Sequence, residues 1–393
     1  MLKKKKSAPK NKTNLLILYF LGLILAVSTA LPSYIQSNFL EEFASPQMVS
    51  LFFVIANAAT IFAISFFPKV IEKITNYFTT KIVAILYGVA LLGLVLSTTA
   101  GLALISIILL TITSNLIWIN MDILVENSST TARTGRIRTI YFTFINSGWI
   151  LSPLLASFLI NKGEYTWTFL IAGFLVIPFF LFFISTGRKF KTKINYAEIS
   201  FKTVIKRTWQ NKNLRGIFFI ALLLQLFYSS AVVYIPLYLH QTLQMDWGVL
   251  GIIFSVMLIP FIIFEIPAGI LADKYLGEKE ILTVGIAILT ISLFLFFYIK
   301  VPLVWLWALV LFFSRIGAAL VESMRETYFF KQVDVKDIGY INLFRITGPL
   351  GYIICPGLAI LILTFFPINY LFLFLSLIML TGFGFIYSLK DTK

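Results

Sequence analysis

Apolar residues fall in long unbroken runs separated by short polar stretches. Twelve runs read as helices that cross a bilayer: 14–35, 48–67, 82–98, 101–124, 139–161, 165–186, 214–239, 247–271, 281–299, 302–324, 340–363 and 368–388. Such a span needs about 20 mostly apolar residues. None of the runs shows the alternation of apolar and polar positions expected of a membrane β-barrel strand. The pattern therefore predicts an all-α integral membrane protein.

The polar breaks repeat themselves. Pro68-x-x-x-Glu72-Lys73-x-x-Asn76 separates the second and third runs, and Gly269-x-x-x-Asp273-Lys274-x-x-Gly277 separates the eighth and ninth. Three-and-four spacing puts Thr111, Asn115, Trp118, Asp122 and Glu126 on one face of the fourth run, and the same offset aligns Arg315, Glu322 and Glu326 in the tenth. This duplication predicts two six-helix bundles related by a pseudo-two-fold repeat. The domain reading is a basic N-terminus 1–13, an N-terminal bundle 14–186, a basic linker 187–213, a C-terminal bundle 214–388 and a tail 389–393.

Composition removes the soluble alternatives: 59% of residues are hydrophobic and 12% charged, with a mean hydropathy of +0.93. The net charge of +15 is set by topology. Of the Lys and Arg residues, 28 fall in alternate loops and termini on one side, while Lys162 and Lys300 alone fall on the other. The positive-inside rule then places both termini in the cytoplasm, in a bacterial-type inner or plasma membrane. The cations are expected to meet anionic lipid headgroups, not nucleic acid.

The first run follows Lys3–Lys6 and ends near Ser28-Thr29-Ala30 like a signal peptide, but it continues through Ile35. It is also needed as the partner of the seventh run, so it is read as retained. Cys355, alone, has no intramolecular disulfide partner and reads as a packing residue. In the linker, Phe201, Val204, Ile205 and Trp209 recur at helical spacing between Lys202, Lys206 and Arg207. That suits a short helix lying in the membrane interface. Trp167, Trp247, Trp305 and Trp307 are expected in the aromatic belt of the outer leaflet.

The repeated loops, the long basic linker and the two six-span halves resemble the major facilitator superfamily over essentially the whole chain. Gly269-Ile-Leu-Ala-Asp273-Lys274 is similar to that family's G-x-L-A-D-R/K loop. Two residues, Tyr275 and Leu276, precede the next glycine where the family usually has one, and Pro68 and Asn76 replace both glycines in the first copy. Asn76 is expected to tolerate left-handed backbone. Gly148-x-x-x-Ser152-Pro153-x-x-Ala156-Ser157 resembles a degenerate form of a motif linked to antiporters, with a counterpart at Gly351-x-x-x-Cys355-Pro356-Gly357. The resemblance implies a secondary transporter working by alternating access as a monomer, with spans 1, 4, 7 and 10 around the substrate.

Within that frame the intramembrane charges are candidates for chemistry, because an uncompensated charge in hydrocarbon costs at least ~2.5 kcal/mol. Glu265, Arg315, Glu322 and Arg345 are expected to neutralise one another and to couple transport to protons. A carboxylate that loses its cation in one conformation takes up a proton more readily there. Glu265 is the preferred proton carrier; a permanent structural pair is the competing reading. Arg315 could instead hold an anionic substrate and stand unpaired before loading. Tyr19, Asn115, Trp118, Asn146, Gln225, Tyr228 and Arg315 are the cavity candidates. Glu72, Lys73, Asp122, Glu126, Arg133, Asp273, Lys274 and Glu326 are the cytoplasmic gate candidates, against the plainer reading of helix-end salt bridges.

His240 has no neighbouring Cys or second His for a metal site. No G-x-x-x-x-G-K-S/T loop is present for nucleotide binding. No cofactor is expected. The leaning is to proton-coupled efflux of a small amphipathic compound. A sugar or organic-anion importer or uniporter is the alternative, and a polytopic enzyme on lipid-linked substrates or a non-transporting sensor is the reading from another class.

Overall fold

The computed structural model describes residues 12–128, 134–162, 165–190, 201–333 and 338–390. Arg133, most of the basic N-terminus and the middle of the linker lie outside them, as do the side chains of Glu126, Asp273 and Lys274. Twelve helices among the described residues are long and apolar enough to cross a membrane. The first bundle holds span 1 (Leu15–Glu41), spans 2 and 3 (Pro46–Phe67 and Lys69–Val95), span 4 (Ala100–Val125), span 5 (Ile140–Ile160) and span 6 (Tyr165–Thr186). The second holds span 7 (Lys212–Thr242), span 8 (Trp247–Ala272), span 9 (Glu278–Tyr298), span 10 (Val304–Gln332), span 11 (Gly339–Phe365) and span 12 (Asn369–Ser388). The first and last described residues, Lys12 and Lys390, lie at the same end of the helices, called here the basic end; the other is the distal end.

Local chemistry starts and bends these helices. Ser45 caps span 2, its hydroxyl accepting from the Met48 N–H, with Pro46 in the first turn. Asn211 caps span 7 by accepting from the N–H groups of Asn213 and Leu214. Pro236 has no N–H to give span 7, and the helix there widens into five-residue π turns at Ser230–Tyr234 and Tyr238–Thr242. This rewinding turns Tyr234 toward span 2 and lets Tyr238 donate to the Ile299 carbonyl (3.0 Å).

The bundles meet along two seams, span 2 against span 11 and span 5 against span 8. The repeat exchanges these two seams, as expected of a pseudo-two-fold. Small residues permit the approach. A Cβ at Gly251 of span 8 would overlap the Ser157 side chain and lie 2.9 Å from the Pro153 carbonyl of span 5. One at Gly148 would lie 2.9 Å from the Ala26 Cβ of span 1. The antiporter-like stretch of span 5 therefore packs on both bundles.

Several sequence expectations are corrected by the packing. Left-handed backbone in the first loop copy falls on Thr75 (φ 70°, ψ 153°), the single non-helical residue in the helical stretch Pro46–Val95, and not on Asn76. Gly277 in the second copy is extended (φ −114°) and starts span 9, its N–H donating to Glu280 Oε2 (2.9 Å). A Cβ at Gly269 would meet nothing within 4 Å, so close packing does not require the first glycine of the second copy. Trp167 and Trp305 are exposed as a belt requires, but Trp247 and Trp307 are buried. The indole N–H of Trp307 donates to the Val301 carbonyl (3.0 Å), and that of Trp247 to the Tyr165 hydroxyl (3.3 Å).

Phe201–Gln210 of the linker is helical. Its Val204 is buried in a small apolar cluster with Phe218 and Leu343, while Ile205 and Trp209 stay exposed. The linker helix is thus docked on spans 7 and 11, with only part of its apolar face left for a membrane surface.

Candidate functional site

Polar groups between the bundles form three layers. At the distal end the layer is a seal. The Ser50 hydroxyl of span 2 and the Tyr234 hydroxyl of span 7 hydrogen-bond at 2.7 Å, both buried. Gln47 Nε2 donates to the Leu363 carbonyl of span 11 (3.2 Å), and the rings of Tyr34 and Phe254 stack at 5.3 Å across the interface. Each joins one bundle to the other.

The middle layer is built around Arg315 of span 10, which is 1% exposed. Its guanidinium lies 5.1 Å from the centre of the Phe227 ring, and its Nη1 has no hydrogen-bond partner. Tyr34 of span 1 and Tyr352 of span 11 stand within its electrostatic reach. Among the described residues no carboxylate pairs with it. A cation–π contact contributes about 0.5–2 kcal/mol, whereas burying an ion costs several kcal/mol after relaxation. Tyr34 also hydrogen-bonds the guanidinium, but neither contact supplies a counter-charge, and none stands against Arg315 among the described residues.

The third layer faces the basic end and is open to solvent. The side chains of Asp122, Glu322, Glu326 and Arg345 keep 27–35% of their surface exposed. Arg345 Nη2 pairs with Asp122 Oδ2 at 3.2 Å, tying span 11 to span 4 across the bundle interface. Arg325, 5% exposed, reaches Glu322 (3.6 Å) and Glu326 (3.8 Å) within span 10. The Tyr228 hydroxyl of span 7 donates to Glu322 Oε2 at 2.5 Å. Glu265 of span 8 lies within electrostatic reach of Glu322, and among the described residues no Lys or Arg forms an ion pair with it.

The expected mutual neutralisation of Glu265, Arg315, Glu322 and Arg345 is therefore not the arrangement found. Arg345 is committed to Asp122, Glu322 to Arg325 and Tyr228, and Glu265 and Arg315 stand apart. The charge asymmetry counts Arg325 among the loop cations, and its three-residue spacing from Glu322 is the one sequence signal of this pairing. Asn115 donates back to the Thr111 carbonyl of its own helix (2.9 Å). Trp118, Asn146 and Gln225 are half-buried, with Gln225 packed so tightly on span 11 that a Cβ at Gly351 would come within 2.7 Å of its backbone. Tyr19 is buried beside Phe144, ring centres 5.6 Å apart. Glu72 and Lys73 are exposed at the basic end. His240 Nδ1 lies 2.9 Å from the Met245 carbonyl.

The family model described as Major Facilitator Superfamily matches residues 15–321 and 217–393. The chain belongs to the Major Facilitator Superfamily. Its fold is similar to the crystal structure of a POT family transporter in complex with 5-aminolevulinic acid, with a TM-score of 0.79 and 13% sequence identity, covering 96% of this chain and 97% of that one. No individually curated protein matches the sequence. Major facilitator membership and the twelve apolar helices support an integral multi-pass secondary transporter. Family membership points to a transporter rather than an enzyme. An apolar groove of about 390 Å³ between spans 3 and 6 is lined by residues such as Leu92, Phe174 and Leu181 on their exposed flanks. It lies outside the polar layers and carries no group for recognising a substrate.

Proposed function

We propose that this major facilitator protein is a proton-coupled alternating-access transporter that exports a small amphipathic organic compound. One observation carries the reading: buried Arg315 lies between a distal seal and a solvent-accessible basic end bridged by Asp122 and Arg345. A site enclosed between two separately made closures can be exposed to one side at a time as the bundles rock. Positive-inside topology makes the basic end cytoplasmic, so the state seen is sealed on the far side and latched on the cytoplasmic side by the part-exposed Asp122–Arg345 pair.

Glu265 is the proton carrier in this reading. It lies inside span 8 beside the charge of Glu322, and no ion pair among the described residues holds it deprotonated. A carboxylate in that position accepts a proton in one state and releases it when the rocking brings water or a cation near. Outward transport is supported by the antiporter-like stretch of span 5, whose Ser157 and Pro153 form the seam with Gly251. The small organic molecule bound by the similarly folded POT transporter accords with the scale of the substrate.

The test uses proteoliposomes and a substrate picked by stabilisation of the purified protein against pools of organic anions, cations, sugars and amino acids. Glu265→Gln is expected to abolish accumulation driven by an imposed proton gradient and to retain counterflow of preloaded substrate. Uphill transport that persists unchanged would remove Glu265 from the coupling step. Accumulation on the alkaline side, into which the protons flow, instead of on the acidified side, would replace antiport by symport.

A further inference from the structure

We infer that Arg315 is the recognition point for a monoanionic carboxylate, so that the transported compound is an amphipathic organic acid with an aromatic or aliphatic body. The inference rests on the transporter reading and narrows its substrate. Arg315 is buried to 1% exposure, its Nη1 has no partner, and no carboxylate of the described residues pairs with it. The acids near it on span 10 are engaged elsewhere: Glu322 is held by Arg325 and Tyr228, and Glu326 by Arg325.

The chemistry of the surroundings sets the ligand class. A guanidinium presents a planar fork of donors that matches a carboxylate, and it stays charged through any rocking cycle. One unpaired cation balances one negative charge. A phosphate monoester or a dicarboxylate would bring a second buried charge with no cation left for it, because Arg325 and Arg345 are already paired. The walls favour an apolar body: Phe227 lies against the guanidinium, Tyr34 and Tyr352 stand beside it, and Phe254 stacks on Tyr34. Tyr34 and Phe254 also belong to the distal seal. A ligand on Arg315 therefore sits against the rings that must separate for release on the far side, and this links its occupancy to opening.

The probes are 4-phenylbutyrate, decanoate and benzoate, each beside its neutral amide, with 4-phenylbutylamine and sodium chloride as further arms. Thermal unfolding of the purified full chain is followed for wild type, Arg315→Gln, Arg315→Lys and Tyr34→Phe. At least one carboxylate is expected to raise the wild-type midpoint while its amide and the amine do not. Arg315→Gln is expected to lose the rise. Arg315→Lys, which keeps the cation and guards against misfolding of the neutral variant, should bind about tenfold more weakly because the fork is lost.

Equal stabilisation by acid and amide would overturn the assignment. So would stabilisation that survives in a cooperatively unfolding Arg315→Gln, stabilisation by the amine alone, or no response to any carboxylate. Chloride acting as well as the organic acids would assign the site to a bare inorganic anion and overturn the substrate class. Flux in proteoliposomes separates the two readings. Carboxylate binding through Arg315 without flux keeps the site and removes the transporter; proton-driven flux of a neutral or cationic solute without carboxylate binding does the reverse.

Discussion

Span 4 and span 10 occupy matching places in the two bundles, yet they handle charge in opposite ways. Asn115 and Arg315 stand seven residues before Asp122 and Glu322 respectively. Asn115 is neutral and bonded to its own helix; Arg315 is charged, has no carboxylate partner among the described residues, and leaves its Nη1 without a hydrogen bond. Asp122 reaches across to Arg345 of the other bundle; Glu322 stays at home with Arg325 and Tyr228. Duplication supplied one helical frame twice, and the side chains then divided the work. The first bundle offers a wall and a cross-bridge, and the second holds the charges suited to binding and coupling.

The sharpest way to break this contrast is to remove the two acids separately. Glu322→Ala strands Arg325, which is 5% exposed and already has one nitrogen without a partner, and leaves the Tyr228 hydroxyl without its acceptor. Breaking a buried pair from one side costs 3–5 kcal/mol in full burial. Glu322 is itself one-third exposed and Glu326 can take over part of the role, so the expected loss is about 2 kcal/mol. Thermal unfolding in detergent, with Glu322→Gln as the control that keeps an acceptor for Tyr228, measures it. Equal stability of the alanine variant and wild type would mean that Arg325 does not depend on Glu322.

A second contrast lies in the two loop copies. Thr75 holds a backbone conformation open almost only to glycine, with a β-branched side chain and a buried hydroxyl without a partner. Asn120 of span 4 secures the place by donating to the Asn76 carbonyl (2.8 Å) and to Thr80 Oγ1 (2.5 Å). Thr75→Gly is expected to raise stability by about 1 kcal/mol, since relief of strain outweighs the added freedom of the unfolded chain. Gly277, extended at φ −114°, carries no such strain, and Gly277→Ala should change little. A destabilised Thr75→Gly would show that the threonine side chain contributes more than its backbone costs.

These cases mark what could be read in the chain. Twelve spans and their repeat are visible because hydrocarbon imposes length and composition on each segment independently. Contacts close in sequence also leave a trace, as the spacing of Glu322 and Arg325 does. The partnership of Asp122 with Arg345 leaves none, because it depends on how two bundles tilt against each other. The run read as 82–98 is part of a helical segment reaching back to Lys69, since helix continues past the apolar window into the polar end. Thr75 could not be singled out in place of Asn76, since propensity favours the asparagine and only the packing around Asn120 reverses the order.

The smallest expected effect on stability is also the one closest to function. Asp122 and Arg345 are each about 30% exposed, so their 3.2 Å pair contributes no more than about 1 kcal/mol. Asp122→Asn leaves Arg345 within reach of Glu326 and Glu322, so no charge is stranded and unfolding should shift by about 0.5 kcal/mol or less. The pair exists only while the bundles are close at the basic end, and its loss acts on one conformer. A bias of that size changes the ratio of two states about two- to fivefold. Spin labels at Lys81 and Tyr275 should report a wider distribution at the basic end. Labels at Thr98 and Val301 should show the distal end closed for a larger share of molecules. Unchanged distributions at both ends would reduce Asp122–Arg345 to an ordinary surface pair. Widening at the basic end without a matching distal change would mean that the bundles breathe there without rocking as units.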